Sequence, residues 1–205
     1  LLAACASVGA DRLLWIHRLY RLLAGPWSGK ARAALAEAVR SAGDAAGDPV
    51  EAVKFRLPPE ARDEAIARAE RAAPEALADE AAIASALYPS REDLRALLHA
   101  GMEIGSHGRT HASLATLSGA ALREEVAGSR DDLGTLLGRA PEGFAVPFGG
   151  PEHRSAEADA LVRQAYRTAC VTDYGRWGPD RDAYHIPRLG MDDTAYLTAL
   201  NRFAE

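Results

Sequence analysis

The second half of the chain alternates short apolar runs with amphipathic segments, and this rhythm restricts the possible folds more than any other feature. From residue 90 onward, each apolar run is separated from the next by residues whose apolar positions recur at helical spacing. Strands that alternate with helices in this way favour an α/β fold with a parallel sheet or barrel. The predicted strands lie near residues 102–105, 144–147, 167–171 and 184–189, and the predicted helices near residues 91–99, 119–137, 155–166 and 193–203.

The helices of this half carry recognisable boundary signals. Ser90, with Asp93 three residues later, is typical of a helix N-cap, and Ser118 is predicted to cap the long helix that follows it. Gly101 and Gly138 are predicted to end helices, because glycine readily adopts the left-handed backbone found at helix C-termini.

The first half of the chain has a different character. Residues 1–9 are small and apolar and are predicted to form a strand, and residues 13–24 carry apolar positions at helical spacing. Residues 28–90 are rich in alanine and contain no recognisable chemistry. Helices are predicted within them near residues 29–41, 58–73 and 75–87.

The composition of the chain limits its possible partners. Its 205 residues are enough for one domain with a substantial core. The net charge of -5 and the lack of a clustered Lys/Arg stripe argue against nucleic acid. No apolar run is long enough for a transmembrane segment, so we expect a soluble domain that is cytoplasmic or associated with the cell envelope. Cys5 and Cys170 are far apart in the sequence and are expected to be buried free thiols.

The turn after the predicted strand 102–105 holds two histidines four residues apart, His107 and His111. Histidine is the commonest metal ligand, and this spacing can bring two imidazole nitrogens to one side of a turn. In α/β folds, sites lie at the carboxyl ends of strands, which is where this turn is placed. Taken alone, the spacing is also compatible with two solvated surface histidines.

A second motif, Gly-Phe-Ala-Val-Pro-Phe-Gly-Gly at residues 143–150, follows after one intervening helix. It ends its predicted strand in a Pro-aromatic-Gly turn. Together, the segments EIGSHGRTHASL and GFAVPFG resemble the polysaccharide deacetylase family, the NodB-type domain of carbohydrate esterase family 4. The resemblance covers roughly residues 88–190.

This resemblance implies a fold and an activity. It implies a single domain over residues 1–205, a distorted and incomplete (β/α) barrel of the NodB type, with residues 28–90 as an Ala-rich helical insertion like those of some bacterial members. The implied activity is that of a metal-dependent hydrolase of non-peptide carbon–nitrogen bonds, which removes acetyl groups from N-acetylated sugars or polysaccharide. The implied partner is an N-acetylated glycan.

The same resemblance assigns roles to individual residues. His107 and His111 match the two histidine ligands of a catalytic divalent metal, most often Zn²⁺. Pro147, Phe148 and Gly149 match the substrate-binding turn of the groove. The backbone N–H of Phe148 matches a catalytic donor that stabilises the oxyanion together with the metal.

The arginine that usually lines the groove is replaced here by Ala145. Family members of this form often carry a late Pro-Arg element, which residues 186–189 resemble. The resemblance therefore makes Arg188 a candidate catalytic residue that orients the substrate, and a surface arginine after a proline is an equally good interpretation. His185 is a weaker candidate for the proton donor that many members carry in a late Leu-x-His motif.

The chain also departs from the family pattern. The Thr-Phe-Asp-Asp-Gly motif, which supplies a third metal ligand and the general base in the family, has no match in residues 1–20. If residues 1–9 correspond to the family's second strand, the motif lies upstream of Leu1. Residues 191–205 contain no histidine, so the late Leu-x-His motif is absent. An alternative interpretation is therefore a truncated or degenerate, non-catalytic member that retains the fold and glycan or metal binding. A third interpretation, a helical interaction module built from residues 28–90, requires the histidine turn to be accidental.

The remaining histidines and the paired carboxylates are predicted to carry no chemistry. We expect His17 to be a surface or core histidine, and His99 and His153 to be exposed. Two pairs of adjacent carboxylates lie mid-helix among arginines and are predicted to form a solvated face. These pairs are Glu124 with Glu125, and Asp131 with Asp132.

Overall fold

Five short strands form one parallel sheet, in which the strands follow one another in chain order. The computed structural model describes residues 2–44, 46–173, 175–176 and 178–188. The strands are β1 (Leu2–Ala3), β2 (Gly105–Ser106), β3 (Gly143–Ala145), β4 (Thr168–Val171) and β5 (Ile186–Pro187). The sheet and its helices confirm the predicted α/β class with a parallel sheet.

The described helices lie before, between and after these strands. They are α1 (Trp15–Leu23), α2 (Ser28–Ser41), α3 (Pro49–Glu51), α4 (Pro59–Ala72), α5 (Glu80–Leu87), α6 (Arg91–His99), α7 (Gly119–Arg123), α8 (Ser129–Leu137) and α9 (Ala156–Ala165). A π-helical turn, Ala52–Arg56, follows α3, and a second one, Glu124–Gly128, joins α7 to α8. None of the helices in the described part of the chain combines the length and apolar character that crossing a bilayer requires.

Most of the predicted helices are confirmed, and the boundary signals act as expected at two of them. Ser90 forms a capping box with Asp93: its hydroxyl accepts from the Asp93 N–H at 3.1 Å, and the Asp93 carboxylate accepts from the Ser90 N–H at 2.8 Å. Gly138 ends α8 with a left-handed φ of 78°. Ser118 is the N-cap residue of α7, as predicted, but its side chain makes no cap bond.

The predicted strands are shorter or shifted in the structure. Residues 1–9 contribute only β1, because the chain turns into the 3₁₀ helix Cys5–Ser7, where the Cys5 N–H donates to the carbonyl of Gly108. The strand predicted at 102–105 lies at Gly105–Ser106, since these are the residues that pair with β1. The predicted helix 193–203 and residue 189 lie outside the described residues.

Two predicted helices are divided. Residues 75–87 form a 3₁₀ helix, Pro74–Leu77, followed by α5, and residues 119–137 form α7, the π-helical turn Glu124–Gly128 and α8. Cys5 and Cys170 are free, as predicted, and half-buried.

In the part of the chain that the structure describes, buried apolar side chains form three clusters. The first joins α1, α2 and α4 around residues such as Leu19 and Leu35. The second lies between the sheet and the helices α7 and α9 and includes Phe144, and the third joins β1, α6 and α8 and includes Leu133. Phe148 follows β3 in the sheet but packs against the first cluster. The turn after β3 therefore connects the sheet to the helices of the first half.

Candidate functional site

Four residues that closely follow the strands β2 to β5 meet at one edge of the sheet. They are His107 after β2, Phe148 after β3, Thr172 after β4 and Arg188 after β5. Parallel strands bring their carboxyl ends to the same edge, so these residues line one open pocket of about 330 Å³. The lining is completed by His111 and by three residues of α1, namely Ile16, His17 and Tyr20.

Backbone and side-chain hydrogen bonds both fix His107. Its N–H donates to the Ala3 carbonyl of β1 at 2.8 Å, and its imidazole Nδ1 lies 2.7 Å from the carbonyl oxygen of Ala145. A carbonyl oxygen only accepts, so Nδ1 carries the hydrogen and Nε2 keeps its lone pair. In this tautomer, His107 has a nitrogen available to a ligand.

The His111 ring packs edge-to-face against the His107 ring, with centroids 4.7 Å apart and ring planes at 83°. Its φ of 64° lies in the left-handed region that few non-glycine residues adopt. Its Nδ1 is buried and has no hydrogen-bond partner among the described residues. A buried polar atom without a partner is unfavourable, and here it marks a position where a bound group could supply the missing contact.

Burial keeps both imidazoles neutral. It lowers the pKa of His107 from 6.5 to about 4 and the pKa of His111 from 6.5 to about 3. The proximity of His107 adds to the lowering at His111, because two positively charged rings would repel each other. At neutral pH both histidines are therefore in the form that binds metals.

The Pro-Phe-Gly turn after β3 has an unusual backbone. Phe148 has a φ of 62° and Gly149 a φ of 82°. The Thr172 N–H donates to the Gly149 carbonyl at 3.1 Å, and the Thr172 hydroxyl donates to the Phe148 carbonyl at 3.1 Å. A Cβ at position 149 would lie 2.4 Å from the Thr172 methyl and 2.8 Å from its backbone nitrogen. Glycine is thus required where the turn approaches the end of β4.

Only one of the three residues predicted to bind substrate lines the pocket. Phe148 is in the lining, whereas Pro147 and Gly149 are buried behind it. Their contribution is to the shape of the turn.

The Phe148 ring lies at the centre of an aromatic cluster drawn from four parts of the chain. Its centroid lies 4.7 Å from that of His111, 5.1 Å from those of Phe55 and His153, and 6.3 Å from that of Trp15. The contacts with His111 and Phe55 are edge-to-face, at 83° and 88°, an arrangement that aromatic pairs favour. The helices of the first half therefore pack directly onto the turn and cover one side of the pocket.

Arg188 belongs to the pocket and is not a surface arginine, so that interpretation is wrong. Its backbone N–H donates to the Val171 carbonyl at 2.8 Å, and its side-chain Nη2 donates to the Val146 carbonyl at 2.7 Å. The guanidinium is half-buried, which lowers its pKa below the ordinary value, and its Nε has no partner among the described residues. No carboxylate in the described ranges forms an ion pair with Arg188, so its charge is available to a ligand.

Helix α1 supplies pocket residues that the sequence did not reveal. His17 and Tyr20 are three positions apart, a spacing that places them on one helix face. In the sequence, this spacing was the one indication that they could line a pocket together. The Nδ1 of His17 lies 2.6 Å from the Tyr88 hydroxyl, and burial lowers the His17 pKa. Trp15 packs into the first buried cluster, and its Nε1 also donates to the Thr110 carbonyl between the two histidines at 2.9 Å.

Glu125 contradicts the prediction of a solvated carboxylate. It is only 4% exposed, because the π-helical turn that contains it packs against the histidine loop. Its carboxylate accepts from the Thr110 N–H at 2.9 Å, from the Thr110 hydroxyl at 2.9 Å and from the Ala112 N–H at 3.3 Å. The other three carboxylates of the two pairs, Glu124, Asp131 and Asp132, are exposed as predicted.

Two further histidines are placed by the structure. The prediction of an exposed His153 is wrong: it is 5% exposed, with Nδ1 3.2 Å from the Ser113 hydroxyl and its ring against Phe55. The 3₁₀ helix that ends at His153 turns the ring into the aromatic cluster. His185 is exposed, is paired with Asp173 through its Nε2 at 2.6 Å, and does not line the histidine pocket. This position gives no support to His185 as the proton donor of that pocket.

The donor atoms of the histidine pair fit a divalent metal. Two neutral imidazoles stand on one pocket wall, and a purely structural role leaves the buried Nδ1 of His111 unexplained. Within the described ranges, no group of three or more His, Cys, Asp and Glu side chains is placed to hold a metal ion. The two histidines would therefore form part of a ligand set.

Comparison with protein families gives a match that contains this site. The polysaccharide deacetylase family matches residues 61–168, a little more than half of the chain. The matched region includes both histidines and the Pro-Phe-Gly turn, and it begins inside the segment 28–90 that was predicted to be an insertion. No curated protein is significantly similar to the chain.

Solved structures resemble parts of the chain. The crystal structure of BC0361, a polysaccharide deacetylase from Bacillus cereus, is 23% identical, with 49% of this chain and 32% of that chain covered and a TM-score of 0.43. IcaB from Ammonifex degensii is 20% identical, with coverage of 56% and 52% and a TM-score of 0.44. The chain thus spans about a third of one of these proteins and about half of the other. On the family match over residues 61–168, the chain belongs to the polysaccharide deacetylase family.

Proposed function

We propose that the protein is a metal-dependent deacetylase-type hydrolase that removes acetyl groups from N-acetylated sugars or polysaccharide. The observation that carries this proposal is the histidine pair at the carboxyl edge of the sheet. His107 and His111 face each other with ring centroids 4.7 Å apart, and the Nδ1 of His111 is buried without a partner among the described residues. Membership of the polysaccharide deacetylase family gives this pair its chemical context.

The two histidines would hold a divalent metal, for which we propose Zn²⁺. When bound, such a metal supplies Lewis-acid polarisation of the acetyl carbonyl and lowers the pKa of a bound water. The hydrogen bond from His107 Nδ1 to the Ala145 carbonyl orients the ring, as is common for metal-ligating histidines. Because burial keeps both rings neutral at pH 7, neither has to lose a proton before binding.

Phe148 and Arg188 are the proposed catalytic residues on the substrate side. The backbone N–H of Phe148 would donate to the oxygen on which negative charge develops, and a fixed backbone donor is effective in this role. Arg188 would orient the substrate through charge-assisted hydrogen bonds from its guanidinium, which lines the pocket and forms no ion pair with a described residue. Pro147 and Gly149 would contribute to substrate binding by fixing the conformation of the turn.

The wider architecture is part of the same proposal. We propose one domain over residues 1–205, in which the parallel sheet forms part of a distorted, incomplete NodB-type barrel and residues 28–90 are a helical insertion. The chain-order sheet and the packing of Phe148 against the helical cluster support a single unit. The family match begins at residue 61, so it overlaps the last 30 residues of the proposed insertion.

The alternative proposal is a non-catalytic family member that retains the fold together with glycan or metal binding. It is favoured by one observation: the described residues contain no group of three side chains placed to hold a metal. A pocket with two histidines, Arg188 and the exposed Tyr20 could still bind a sugar without hydrolysing it.

Zinc content and zinc affinity of the 205-residue chain test the proposal most directly. They are measured for the wild type, for His107→Ala and His111→Ala, and for the control His99→Ala, whose histidine is exposed at the end of α6 as predicted. Release of acetate from an oligomer of N-acetylglucosamine is measured on the same samples.

We expect the wild type and His99→Ala to bind one zinc ion and both pocket variants to lose it. Acetate release that follows zinc occupancy would support the hydrolase. Zinc binding without acetate release would support the non-catalytic alternative, and a folded wild-type chain that binds no zinc would exclude zinc dependence for this chain.

A further inference from the structure

We infer that Glu125 is a positioning residue that holds the histidine loop, residues 107–112, in the form that presents both imidazoles to the pocket. This inference rests on the proposed metal site, because its consequence is a change in metal affinity. Glu125 itself lies behind the loop and does not line the pocket. It would act through the backbone of the residues between and beside the ligands.

The hydrogen bonds of Glu125 are directed at the centre of the loop. Both carboxylate oxygens accept from the Thr110 N–H, at 2.9 and 3.2 Å, and one also accepts from the Thr110 hydroxyl at 2.9 Å. The Ala112 N–H donates to the other oxygen at 3.3 Å. These donors flank His111 on both sides, so a single buried side chain fixes the backbone on which that ring is mounted.

The loop is also shaped to fit this carboxylate. Gly108 has a φ of 78°, and a Cβ at that position would lie 2.5 Å from the Glu125 Oε1. The residue next to His107 is therefore a glycine where the loop passes over the carboxylate. The loop therefore contacts the Glu125 carboxylate at both ends, through the close approach of Gly108 and through the hydrogen bonds from Thr110 and Ala112.

The helical segment that carries Glu125 is itself fixed to the sheet. The Ser129 hydroxyl lies 2.9 Å from the hydroxyl of Ser106, the last residue of β2, and both are fully buried. The carbonyl of Val126, inside the π-helical turn, accepts from the hydroxyls of Ser129 and Tyr166 at 2.8 and 2.9 Å. These buried contacts attach the segment to β2, the strand that leads directly into His107, and so they set the position of Glu125 relative to His107.

Glu125→Ala and Glu125→Gln test the inference, with Asp131→Ala as the control. Asp131 is an exposed carboxylate of the neighbouring helix α8, so its removal changes the charge by the same amount without touching the histidine loop. Zinc affinity is measured by competition with a chromophoric chelator, and amide hydrogen exchange is measured on the metal-free proteins.

We expect Glu125→Ala to weaken zinc binding about 10- to 100-fold, the range typical of residues that orient metal ligands. Glu125→Gln should weaken it less, since the carboxamide oxygen can still accept from the two backbone amides. Asp131→Ala should stay close to the wild type. Wild-type zinc affinity in folded Glu125→Ala would overturn the inference, and if that variant does not fold, the same comparison is made with Glu125→Gln.

Hydrogen exchange separates this inference from the proposed function. Without metal, the Thr110 and Ala112 amides should exchange faster in the Glu125 variants, whereas the Val146 amide, which donates to the Cys170 carbonyl, should not. If the wild type binds no zinc but these two amides lose protection, the metal proposal fails and the loop role of Glu125 stands. Unchanged protection at both amides would overturn the loop role, whatever the zinc result.

Discussion

His111 and Phe148 are the two non-glycine residues with left-handed backbone in the described part of the chain, and their rings touch. The centroids lie 4.7 Å apart with the planes at 83°. Such backbone conformations cost on the order of 1–3 kcal/mol each and persist where the surroundings impose them. Here the two costs are concentrated at one contact, between the turn after β3 and the loop after β2.

The strain at Phe148 can be measured by comparing Phe148→Ala with Phe148→Gly. Both variants lose the ring contacts and should be less stable than the wild type by about 2–4 kcal/mol, toward the low end of large-to-small core changes because the ring is half-buried. At a φ of 62°, glycine avoids the left-handed penalty, so the Gly variant should be the more stable of the two by about 1 kcal/mol. Urea unfolding of both variants provides the measurement.

Phe144 supplies the matched control for this comparison. It is fully buried in β3, where the backbone is extended, so Phe144→Gly should be less stable than Phe144→Ala by about 0.5–1 kcal/mol. The same order at both positions would contradict the strain assigned to Phe148.

Gly149→Ala should destabilise the fold more than Gly43→Ala. Both glycines have a left-handed backbone, with φ of 82° and 87°, so the conformational penalty is shared. Only at position 149 would the new methyl meet other atoms, 2.8 Å from the backbone nitrogen of Thr172 at the end of β4. We expect an additional loss of about 1–3 kcal/mol at position 149, measured by urea unfolding. Equal losses would show that the turn has room to move away from β4.

Acid should destabilise the metal-free protein through the histidine pair. Folding lowers the pKa of His107 from 6.5 to about 4 and the pKa of His111 from 6.5 to about 3. As the pH falls below 6.5, the unfolded chain binds protons that the folded chain does not, so the free energy of unfolding falls. Each histidine contributes a slope of up to about 1.4 kcal/mol per pH unit between pH 6 and 4.

The slope is measured by urea unfolding with a chelator present, at several pH values between 7 and 4. His111→Asn should reduce it, because asparagine does not titrate and tolerates the left-handed backbone at this position. His99→Asn, at an exposed site, should leave it unchanged. A slope in His111→Asn as steep as that of the wild type would mean that other groups cause the acid sensitivity.

Arg188→Gln should impair the use of substrate with little loss of stability. The variant keeps a donor for the Val146 carbonyl but removes the charge that lines the pocket. Loss of a charge-assisted hydrogen bond corresponds to about a 10- to 100-fold lower kcat/KM for an N-acetylated oligosaccharide. Arg167→Gln, which changes an exposed arginine paired with Glu142, is the control. Equal kcat/KM values for the two variants would remove Arg188 from the proposed site.

The parts of the site that lie next to strand ends were open to prediction from sequence. His107 and Phe148 each follow an apolar run, and parallel strands bring such positions to one edge. Their short motifs carry the information locally, since the histidine spacing and the Pro-Phe-Gly turn are contiguous in the chain.

The remaining features depend on contacts between segments that are distant in the chain. From the sequence, Glu125 is predicted to be an exposed helical carboxylate. It is buried because its π-helical turn packs on the histidine loop, where it accepts from Thr110, 15 residues earlier in the chain. His153 joins the site because its ring packs against Phe148. Tyr20 joins it because α1 lies beside the pocket. The periodicity of the sequence reveals neither contact. The strand ends were also misplaced, because pairing with β1 fixed β2 one or two residues beyond the apolar run.

The π-helical turn Glu124–Gly128 limits changes of length in this part of the chain. A helix turns by about 100° per residue, so deleting one residue there would rotate everything that follows relative to everything before. Glu125 at the start of the turn and Leu133 further along are both buried, the first against the histidine loop and the second in the cluster with β1 and α6. After such a deletion, at most one of them could keep its place. The number of residues in this segment is therefore fixed by the two buried contacts that it has to serve at once.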